Sequence, residues 1–272
     1  PTGGTATTLV SSSSSGWSGG VTTTTSVTIG GASAGPGTLT AIDNSTSSLT
    51  SGTLAFTFYS SSFSVTTSST SLTAGSPFTL TLTAKDAAGA TVTRYQGSVA
   101  LTTTYVNPAS GTLGLSVSAI SASAFVSGIA ALSVSYPDAG QVSMTAKDTT
   151  YVSGVTIQGT SSTLTSSPAK FLIERMALPP NLLGPYVNQP FDVRGKALAA
   201  DGVTTTPNYP GAVTLSGGAV ALSNATHTFV PATDKGSFLF NGLRAFNKGL
   251  LTLTASAGAI TGKAPDMLVR AG

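Results

Sequence analysis

The chain has 272 residues, of which 45 are Thr and 39 are Ser, while Asp, Glu, Lys and Arg together make up 8%. Cysteine is absent, which excludes disulfides, cysteine-based metal sites and thiol nucleophiles. A net charge of +3 on so few charged groups excludes the basic field that nucleic-acid binding requires.

The same composition predicts an all-β fold. A hydrophobic fraction of 40% is too high for a disordered chain. The good helix formers Glu, Lys, Arg and Gln are scarce, whereas Thr, Val and Gly favour strands and turns. No apolar run reaches the roughly eighteen residues of a membrane span. Because Pro1 is not a natural start, we expect a processed chain or an internal stretch of a longer protein.

The N-terminal region predicts an incomplete module. Residues 1–20 are rich in Ser and Gly, which is typical of a linker or a strand-donating arm, with disorder as the alternative. Residues 37–43 resemble residues 140–148, the end of the following module, so we interpret residues 21–61 as the last strands of a sandwich. Such strands need either upstream chain or a strand from another chain to close their core.

The end of this region is dense in aromatic residues. Phe56 and Phe58 stand two positions apart, so on a strand they share one face, and Tyr59 follows directly. We predict that this face is a contact between domains or subunits, and the alternative is an ordinary core.

Two complete modules are predicted at residues 62–168 and 169–272. In residues 78–84 apolar residues alternate with threonine, which predicts a half-buried strand, and residues 251–255 alternate in the same way. Gly, Pro, Asp and Asn separate such runs, so the strands are short and joined by turns.

An internal repeat sharpens this division. The pairs Pro77-Phe78 and Pro190-Phe191 each precede a turn glycine by the same distance, and a tyrosine and a glycine follow. The period of about 100 residues fits tandem immunoglobulin-like β-sandwiches. We pair the repeated residues as Phe63 with Phe171, Tyr95 with Tyr209, Phe125 with Phe238, Gly128 with Gly242 and Leu132 with Phe246, and predict that the paired aromatic residues lie in the cores.

The last module opens with an irregular loop rich in proline and leucine. We predict an interaction surface here, carried by Leu178, Leu182, Leu183 and Tyr186. The alternative is that the loop packs over the end of its own sandwich. The last module also holds nine of the twelve basic residues.

The sequence contains few residues that could act in catalysis. The single histidine, His227, lies in a segment that reads as a strand, so we expect a surface or edge residue rather than a general base. The single glutamate, Glu174, has no partner carboxylate in the sequence. Asp86, Asp148 and Asp201 occupy turn positions, where the side chain binds its own backbone two residues on. A calcium site built from these turns is the alternative. We predict no catalytic, cofactor or metal site, and no enzyme.

Two groups of motifs resemble a known family. Residues 186–191 (Tyr-Val-Asn-Gln-Pro-Phe) and 196–211 resemble the C-terminal region of MshQ-like proteins, which accompany the mannose-sensitive haemagglutinin type IV pilus of Gram-negative bacteria. Residues 74–78 and 85–89 resemble the immunoglobulin-like repeats of such proteins and of invasin-type adhesins. The resemblance covers residues 62–260, and the chain departs from it in lacking a cysteine before the Tyr-x-x-Gln-Pro-Phe stretch.

The resemblance and the composition together imply an extracellular or cell-surface bacterial protein. We expect a structural subunit or stalk of a surface appendage, such as a pilus or filament, assembled through its sandwiches and by strand exchange. Its partners would be other copies of itself or other appendage subunits, with no cofactor. The alternative is an adhesin tip that binds a glycan, or a host or abiotic surface, through its last module.

Overall fold

The computed structural model describes residues 35–41, 52–151, 154–176, 184–223 and 225–272. For the two strands at 35–41 and 52–58 it describes the backbone pairing. The predicted arm at residues 1–20 lies outside the described residues, as does part of the predicted incomplete module at 21–61.

The described part of the chain is built almost entirely from short strands. They are β1 (Gly35–Ala41), β2 (Gly52–Phe58), β3 (Ser62–Thr67), β4 (Ser71–Thr73), β5 (Pro77–Lys85), β6 (Val99–Asn107), β7 (Ala119–Ile120), β8 (Ile129–Ser135), β9 (Gly140–Asp148), β10 (Ile157–Thr160), β11 (Leu164–Ser167), β12 (Lys170–Arg175), β13 (Pro190–Leu198), β14 (Ala212–Ser216), β15 (Thr226–Thr228), β16 (Ser237–Arg244), β17 (Gly249–Leu251), β18 (Thr254–Ala257), β19 (Ile260–Lys263) and β20 (Met267–Val269). A 3₁₀ turn spans Ala122–Ala124, and one short helix, α1, spans Pro231–Asp234.

Strands β1 and β2 form an antiparallel pair that runs from Gly35 opposite Phe58 to Ala41 opposite Gly52. The interpretation of residues 21–61 as the end of a sandwich stays a prediction.

Strands β3 to β11 form what we call the middle module. Strands β3, β5 and β8 pair in that order on one face, and β6 and β9 pair on the other, with β7 beside β6. Strand β9 also pairs with β10 and β11, which in turn pair in parallel with β3 and β4. The N-terminal strand of the module is thus divided into β3 and β4, and its C-terminal strand into β10 and β11. These divided strands join the two faces at both edges and close the core.

The period-two prediction for residues 78–84 is confirmed. In β5 the side chains of Phe78, Leu80, Leu82 and Ala84 are buried. Burial of a leucine side chain stabilises the fold by about 2 kcal/mol. The strand is therefore most stable when its apolar face is turned toward the core and its threonines toward solvent. The intervening threonines are exposed or half-buried and keep the outer face hydrated.

Strands β12 to β20 form the last module and repeat this plan. Strands β12, β13 and β16 pair on one face, and β15, β14, β18 and β19 pair on the other. A separate pair, β17 with β20, continues the second face beyond a break at residues 252–253. The chain is thus all-β, with tandem immunoglobulin-like β-sandwiches, as the sequence predicted.

The tyrosines repeated between the modules lie in the cores, as predicted. In the middle module the Tyr95 ring lies 5.2 Å from the Phe63 ring and 4.7 Å from the Phe125 ring, measured between centroids. In the last module the Tyr209 ring lies 5.9 Å from Phe171 and 5.3 Å from Phe229. The counterpart of Phe125 is therefore Phe229, and the predicted pairing of Phe125 with Phe238 was wrong.

The glycine pairing needs the same correction. The amide of Ala84 donates to the Gly128 carbonyl, and the amide of Ala197 donates to the Gly236 carbonyl, each at 2.9 Å. Both glycines have a positive φ, and an added Cβ would lie 2.1 Å from the Val92 carbonyl oxygen or 2.6 Å from that of Thr206. Gly236, rather than Gly242, is therefore the counterpart of Gly128.

The misalignment has two local causes. Helix α1 lengthens the approach to β16, and a bulge opposite Asp192 carries Gly242 in a left-handed conformation (φ +68°). Leu132 lies opposite Leu80 in the middle module, and Phe240 lies opposite Val193 in the last. Leu132 therefore corresponds to the buried Phe240, and the predicted counterpart Phe246 is instead 51% exposed.

Candidate functional site: the junction between the modules

The two modules are joined by a very short linker. Strand β11 ends at Ser167 and β12 begins at Lys170, so only Pro168 and Ala169 lie between them. Pro168 is buried, and the Ala169 amide donates to the carbonyl of Leu198 at 2.8 Å. One linker residue is thus held by burial and the other by a hydrogen bond, and the fixed φ of proline further limits bending of the linker.

A turn of the last module lies against the first strands of the middle module. The amide of Ala200 donates to the carbonyl of Ala74 across the junction at 2.8 Å. A Cβ added at Gly75 would lie 3.1 Å from the Ala200 nitrogen and 3.2 Å from the Cβ of Ala199. The glycine at position 75 therefore lets the two backbones approach closely.

A buried carboxylate forms the second contact across the junction. Asp138, in the loop between β8 and β9, is fully buried. Its Oδ1 accepts hydrogen bonds from the amide of Ala139 at 2.7 Å and from the amide of Asn208, in the last module, at 3.0 Å. The Ser166 hydroxyl donates to the Asp138 carbonyl at 2.6 Å, which fixes the loop to β11.

Burial raises the pKa of the Asp138 carboxyl above its usual value, although the hydrogen bonds from Asn208 and Ala139 offset part of that rise. Around the carboxylate, Asp138 Oδ2, Tyr136 Oη and Asn208 Nδ2 are buried without a hydrogen-bond partner of good geometry among the described residues. The free energy of buried polar groups depends strongly on whether their hydrogen bonds have good geometry. The junction is therefore sensitive to small changes in how the modules sit on each other.

Apolar packing completes the junction. Ala139 belongs by its contacts to the core of the last module, although it precedes β9 of the middle module. Beside it lies a cleft of about 220 Å³ whose lining has no charged side chain; the lining residues are Asn107, Gly140, Gln141, Thr165, Ser166, Ser167, Tyr209, Pro210 and Gly211. The lining of this cleft is thus uncharged, whereas the Asp138 carboxyl is buried at the junction.

The residues predicted to form interaction surfaces stay predictions. Leu178, Leu182 and Leu183 lie outside the described residues, as do the side chains of Phe56 and Phe58. Tyr59 is 41% exposed. Tyr186 is half-buried and forms a parallel bridge with Arg270, so its backbone belongs to the sandwich rather than to a free loop.

His227 lies on β15, an edge strand of its sheet, in keeping with the predicted edge position. Its Nε2 lies 2.7 Å from Asp234 Oδ2, and its ring stacks on Phe238. Asp234 also accepts from the Val230 amide at 2.7 Å. Sequence reasoning missed this pair, because α1 brings Asp234 back over the strand.

The turn aspartates behave as predicted. Asp86 accepts from the amide of Ala88 at 3.0 Å, Asp201 from that of Val203 at 2.9 Å, and Asp148 from that of Thr150 at 2.7 Å. Asp148 does more, since its Oδ2 also accepts the Tyr95 hydroxyl at 2.5 Å inside the core. The sequence gives no sign of this bond, whose partners are 53 residues apart.

The Tyr95 and Asp148 side chains shift each other's pKa in opposite directions. Burial and the neighbouring carboxylate raise the pKa of Tyr95. Burial alone would raise the pKa of Asp148, but the hydrogen bonds from the Tyr95 hydroxyl and from Thr150 and Tyr151 outweigh it and lower that pKa. Asp148 is therefore held in its charged form.

Among the described residues there is no group of three or more His, Asp or Glu side chains that could hold a metal ion. No helix in the same part of the chain is long and apolar enough to cross a membrane.

Comparison with known proteins gives a family match over part of the chain. Residues 38–160 match the family model described as "Domain of unknown function (DUF6701), first Ig-like domain". The match begins before the middle module and ends at β10. None of the curated proteins matches the chain.

Several solved structures are similar in fold. The D0-D1 domain of intimin is 19% identical, with 76% of this chain and 97% of that chain covered and a TM-score of 0.29. The Escherichia coli adhesin FdeC is 17% identical, with 89% and 75% covered and a TM-score of 0.40. The Yersinia pseudotuberculosis adhesin InvE is 15% identical, with 76% and 58% covered and a TM-score of 0.37.

Proposed function

We propose that this chain is a non-enzymatic segment of a bacterial surface protein, in which immunoglobulin-like modules stacked end to end form a stiff stalk. In its finer form, the proposal places the chain in a pilus-associated surface protein of the MshQ-like type. The match of residues 38–160 to an Ig-like domain family supports the modular part of the proposal.

The junction is the observation that carries it. Domains joined by long polar linkers move independently. The modules here are separated by two residues, of which Pro168 is buried and Ala169 is hydrogen-bonded through its amide. The backbone bond from Ala200 to Ala74 and the bond from Asn208 to buried Asp138 both cross the junction. A stalk needs such a joint, because a flexible hinge would not hold its outer end away from the cell.

The absence of cysteine from the sequence allows a direct test of stiffness. We would place single cysteines at Ala87 and Lys248, which are exposed and lie at opposite ends of the two-module unit, attach spin labels and measure the distance between them. We expect one narrow distance distribution, as for a single rigid body.

The control inserts six Gly and Ser residues between Pro168 and Ala169 and should broaden the distribution severalfold. A wild-type distribution as broad as that of the insertion variant would show a flexible hinge and would overturn the stalk proposal.

A further inference from the structure

The cleft at the junction has one wall from each module. On one side lies the segment 209–211 of the last module, and on the other lie polar residues of the middle module, among them Asn107, Gln141 and Thr165. The Asn208 amide, which donates across the junction, holds the segment 209–211 against the middle module. The cleft is therefore formed only while the two modules are docked.

The three polar side chains of the middle module form a row along the cleft. Gln141 on β9 lies opposite Asn107 on β6 and, on its other side, opposite Thr165 on β11. Residues that face each other on antiparallel strands have Cβ atoms about 5 Å apart. The row thus places two amides and one hydroxyl within the span of one small ligand.

The polar groups of this row are available to a ligand. None of the three side chains has a hydrogen-bond partner among the residues that the structure describes. On the same sheet, by contrast, the hydroxyls of Thr145 and Thr160 lie 3.0 Å apart and bond to each other. An amide side chain offers one acceptor and two donor hydrogens, and a hydroxyl both donates and accepts. The row can therefore bind a ligand that itself carries both donors and acceptors.

The sandwich does not require polar residues at these positions. Strands β9 and β17 both open with a glycine of positive φ, so Leu250 on β17 corresponds to Gln141 on β9. Leu268 and Thr165 lie opposite these two residues and correspond in turn. Leu250 is 59% exposed and Leu268 is 51% exposed. The polar row thus distinguishes the junction from the same part of the last module.

Both walls of the cleft are fixed by close contacts. A Cβ added at Gly140, which lines the cleft, would lie 2.7 Å from the Asn107 carbonyl oxygen and 3.4 Å from that of Asn208. The ring of Tyr209 is buried against phenylalanines of the last module. Neither wall can move far without loss of these contacts, so the cleft is preformed, and a ligand need not pay to order it.

The size and charge of the cleft restrict the class of ligand. Its volume of about 220 Å³ is below the roughly 300–1,000 Å³ of pockets for drug-sized ligands. No charged side chain lines it, and exposed Pro210 offers an apolar surface at one wall. A single pyranose ring has matching properties, because it is neutral, has apolar ring carbons and carries hydroxyls that donate and accept.

We propose that this cleft binds one neutral sugar ring, whose hydroxyls bond to the amides of Asn107 and Gln141 and to the hydroxyl of Thr165. This inference rests on the proposed stalk function, because the cleft needs docked modules, and it gives the stalk a binding site on its side. A ligand that contacts both walls also stabilises the docked arrangement.

NMR titration of the ¹⁵N-labelled full chain with D-glucose, D-galactose, D-mannose and N-acetyl-D-glucosamine tests the site. At least one of these sugars should shift the side-chain amide signals of Asn107 and Gln141. We expect a Kd of about 1 mM, the usual strength for a ligand of about twelve heavy atoms. D-glucuronate should not shift these signals at the same concentrations, because no cation lines the cleft to pair with its carboxylate.

The variants take their residues from the last module. Gln141→Leu combined with Thr165→Leu removes two hydrogen-bonding groups, and the last module has leucine at both equivalent positions. The double variant should bind sugar at least tenfold more weakly, as followed at the Asn107 side chain. The matched control Gln158→Leu alters an exposed glutamine on β10, outside the cleft, and should bind as the wild type does.

The insertion between Pro168 and Ala169 gives a second test. It should weaken sugar binding at least tenfold, because it lets the two walls separate. Unchanged binding by an insertion variant whose spin-label distances are broad would overturn a site built from both modules.

The remaining outcomes separate this inference from the stalk proposal. If no sugar shifts the two amide signals well above the expected Kd while spin-label distances are narrow, the cleft holds only water, and the stalk stands without the site. A double variant that binds as the wild type does, tighter binding of D-glucuronate, or shifts caused by the tripeptide Ser-Gly-Ser at lower concentration than by any sugar would also overturn the sugar site. Broad spin-label distances in the unaltered chain would instead defeat the stalk proposal.

Discussion

The middle and last modules share a backbone but differ in where they place polar side chains. In the middle module the Tyr95 hydroxyl binds Asp148. At the position of Asp148 the last module has Ala257, and among the described residues the Tyr209 hydroxyl makes a long contact of 3.5 Å with the Ala212 carbonyl and no other hydrogen bond. At the position of Asp138 the last module has Asn247, whose side chain binds its own module through Ala219 and Ala221.

The comparison separates two kinds of residue. Positions that the sandwich needs for its backbone, such as Gly128 and Gly236, recur in both modules. The polar side chains in question differ: the bond between Tyr95 and Asp148 lies inside the core of the middle module only, and Asp138 binds across the junction. Asp138 has a neighbouring module to bind, and its counterpart Asn247 turns back on its own loop.

The largest effect should come from the buried tyrosine. Tyr95→Phe removes the donor from a buried carboxylate oxygen, and we expect a loss of about 2 kcal/mol in the free energy of unfolding. Tyr209→Phe removes a hydroxyl with one long contact and should cost less than about 0.5 kcal/mol. Denaturant unfolding of the two variants measures both values. Equal losses would show that the bond to Asp148 does not distinguish the modules.

A smaller effect should follow from loss of the carboxylate at the junction. Asp138→Ala leaves the buried amides of Ala139 and Asn208 without an acceptor, at a cost of about 1 kcal/mol once the burial of the charge is relieved. Hydrogen exchange should therefore show faster exchange at the Asn208 amide.

Two controls sharpen this prediction. Asp138→Asn keeps an acceptor oxygen and should retain the protection, and Asn247→Ala, at the equivalent position of the last module, should leave the Asn208 amide unchanged. Unaltered exchange in Asp138→Ala would mean that the carboxylate does not hold the junction.

The smallest effect should be a pH dependence with two opposed parts. The pKa of Asp138 is raised in the folded state, so the fold binds its proton more tightly and stability increases as pH falls through that raised value. The pKa of Asp148 is lowered, so its contribution is present above the usual carboxyl value of about 4 and is lost as pH falls further. The chain should therefore be most stable on the acid side of neutrality.

Thermal midpoints between neutral and strongly acid pH check this pattern. Asp138→Asn should remove the gain on mild acidification, and Tyr95→Phe should reduce the loss at lower pH. If both variants follow the wild-type profile, other groups govern the pH dependence.

Several features of the fold could be predicted from sequence patterns. The alternation in residues 78–84 and the backbone bonds of Asp86 depend on neighbours a few residues away, and both agree with the structure. The core position of Tyr95, which the repeat predicted, agrees as well. The pairing of Phe246 with Leu132 was wrong, because the sequence offers both Gly236 and Gly242 as counterparts of Gly128, and only the strand register shows that Gly242 belongs to a bulge.

The residues of the candidate site could not be predicted from the sequence in the same way. In the sequence Asp138 is one of several Asp residues that stand between predicted strands, and its partner Asn208 is 70 residues away. Nothing in the spacing of either residue marks a junction. The exposed leucines at positions 250 and 268 likewise lie in runs that read as ordinary strand until their register is known.

By itself, the sequence determined the all-β class, the repeat and the buried face of strands with a clear alternation, such as β5, because burial of alternate side chains stabilises a strand through local and cumulative contributions. Only the tertiary structure decided which loops meet, which carboxylate is buried and which apolar side chains, such as Leu250 and Leu268, are left exposed. Those outcomes depend on contacts between distant segments, where the position of one module on another selects among side chains that look alike in the sequence.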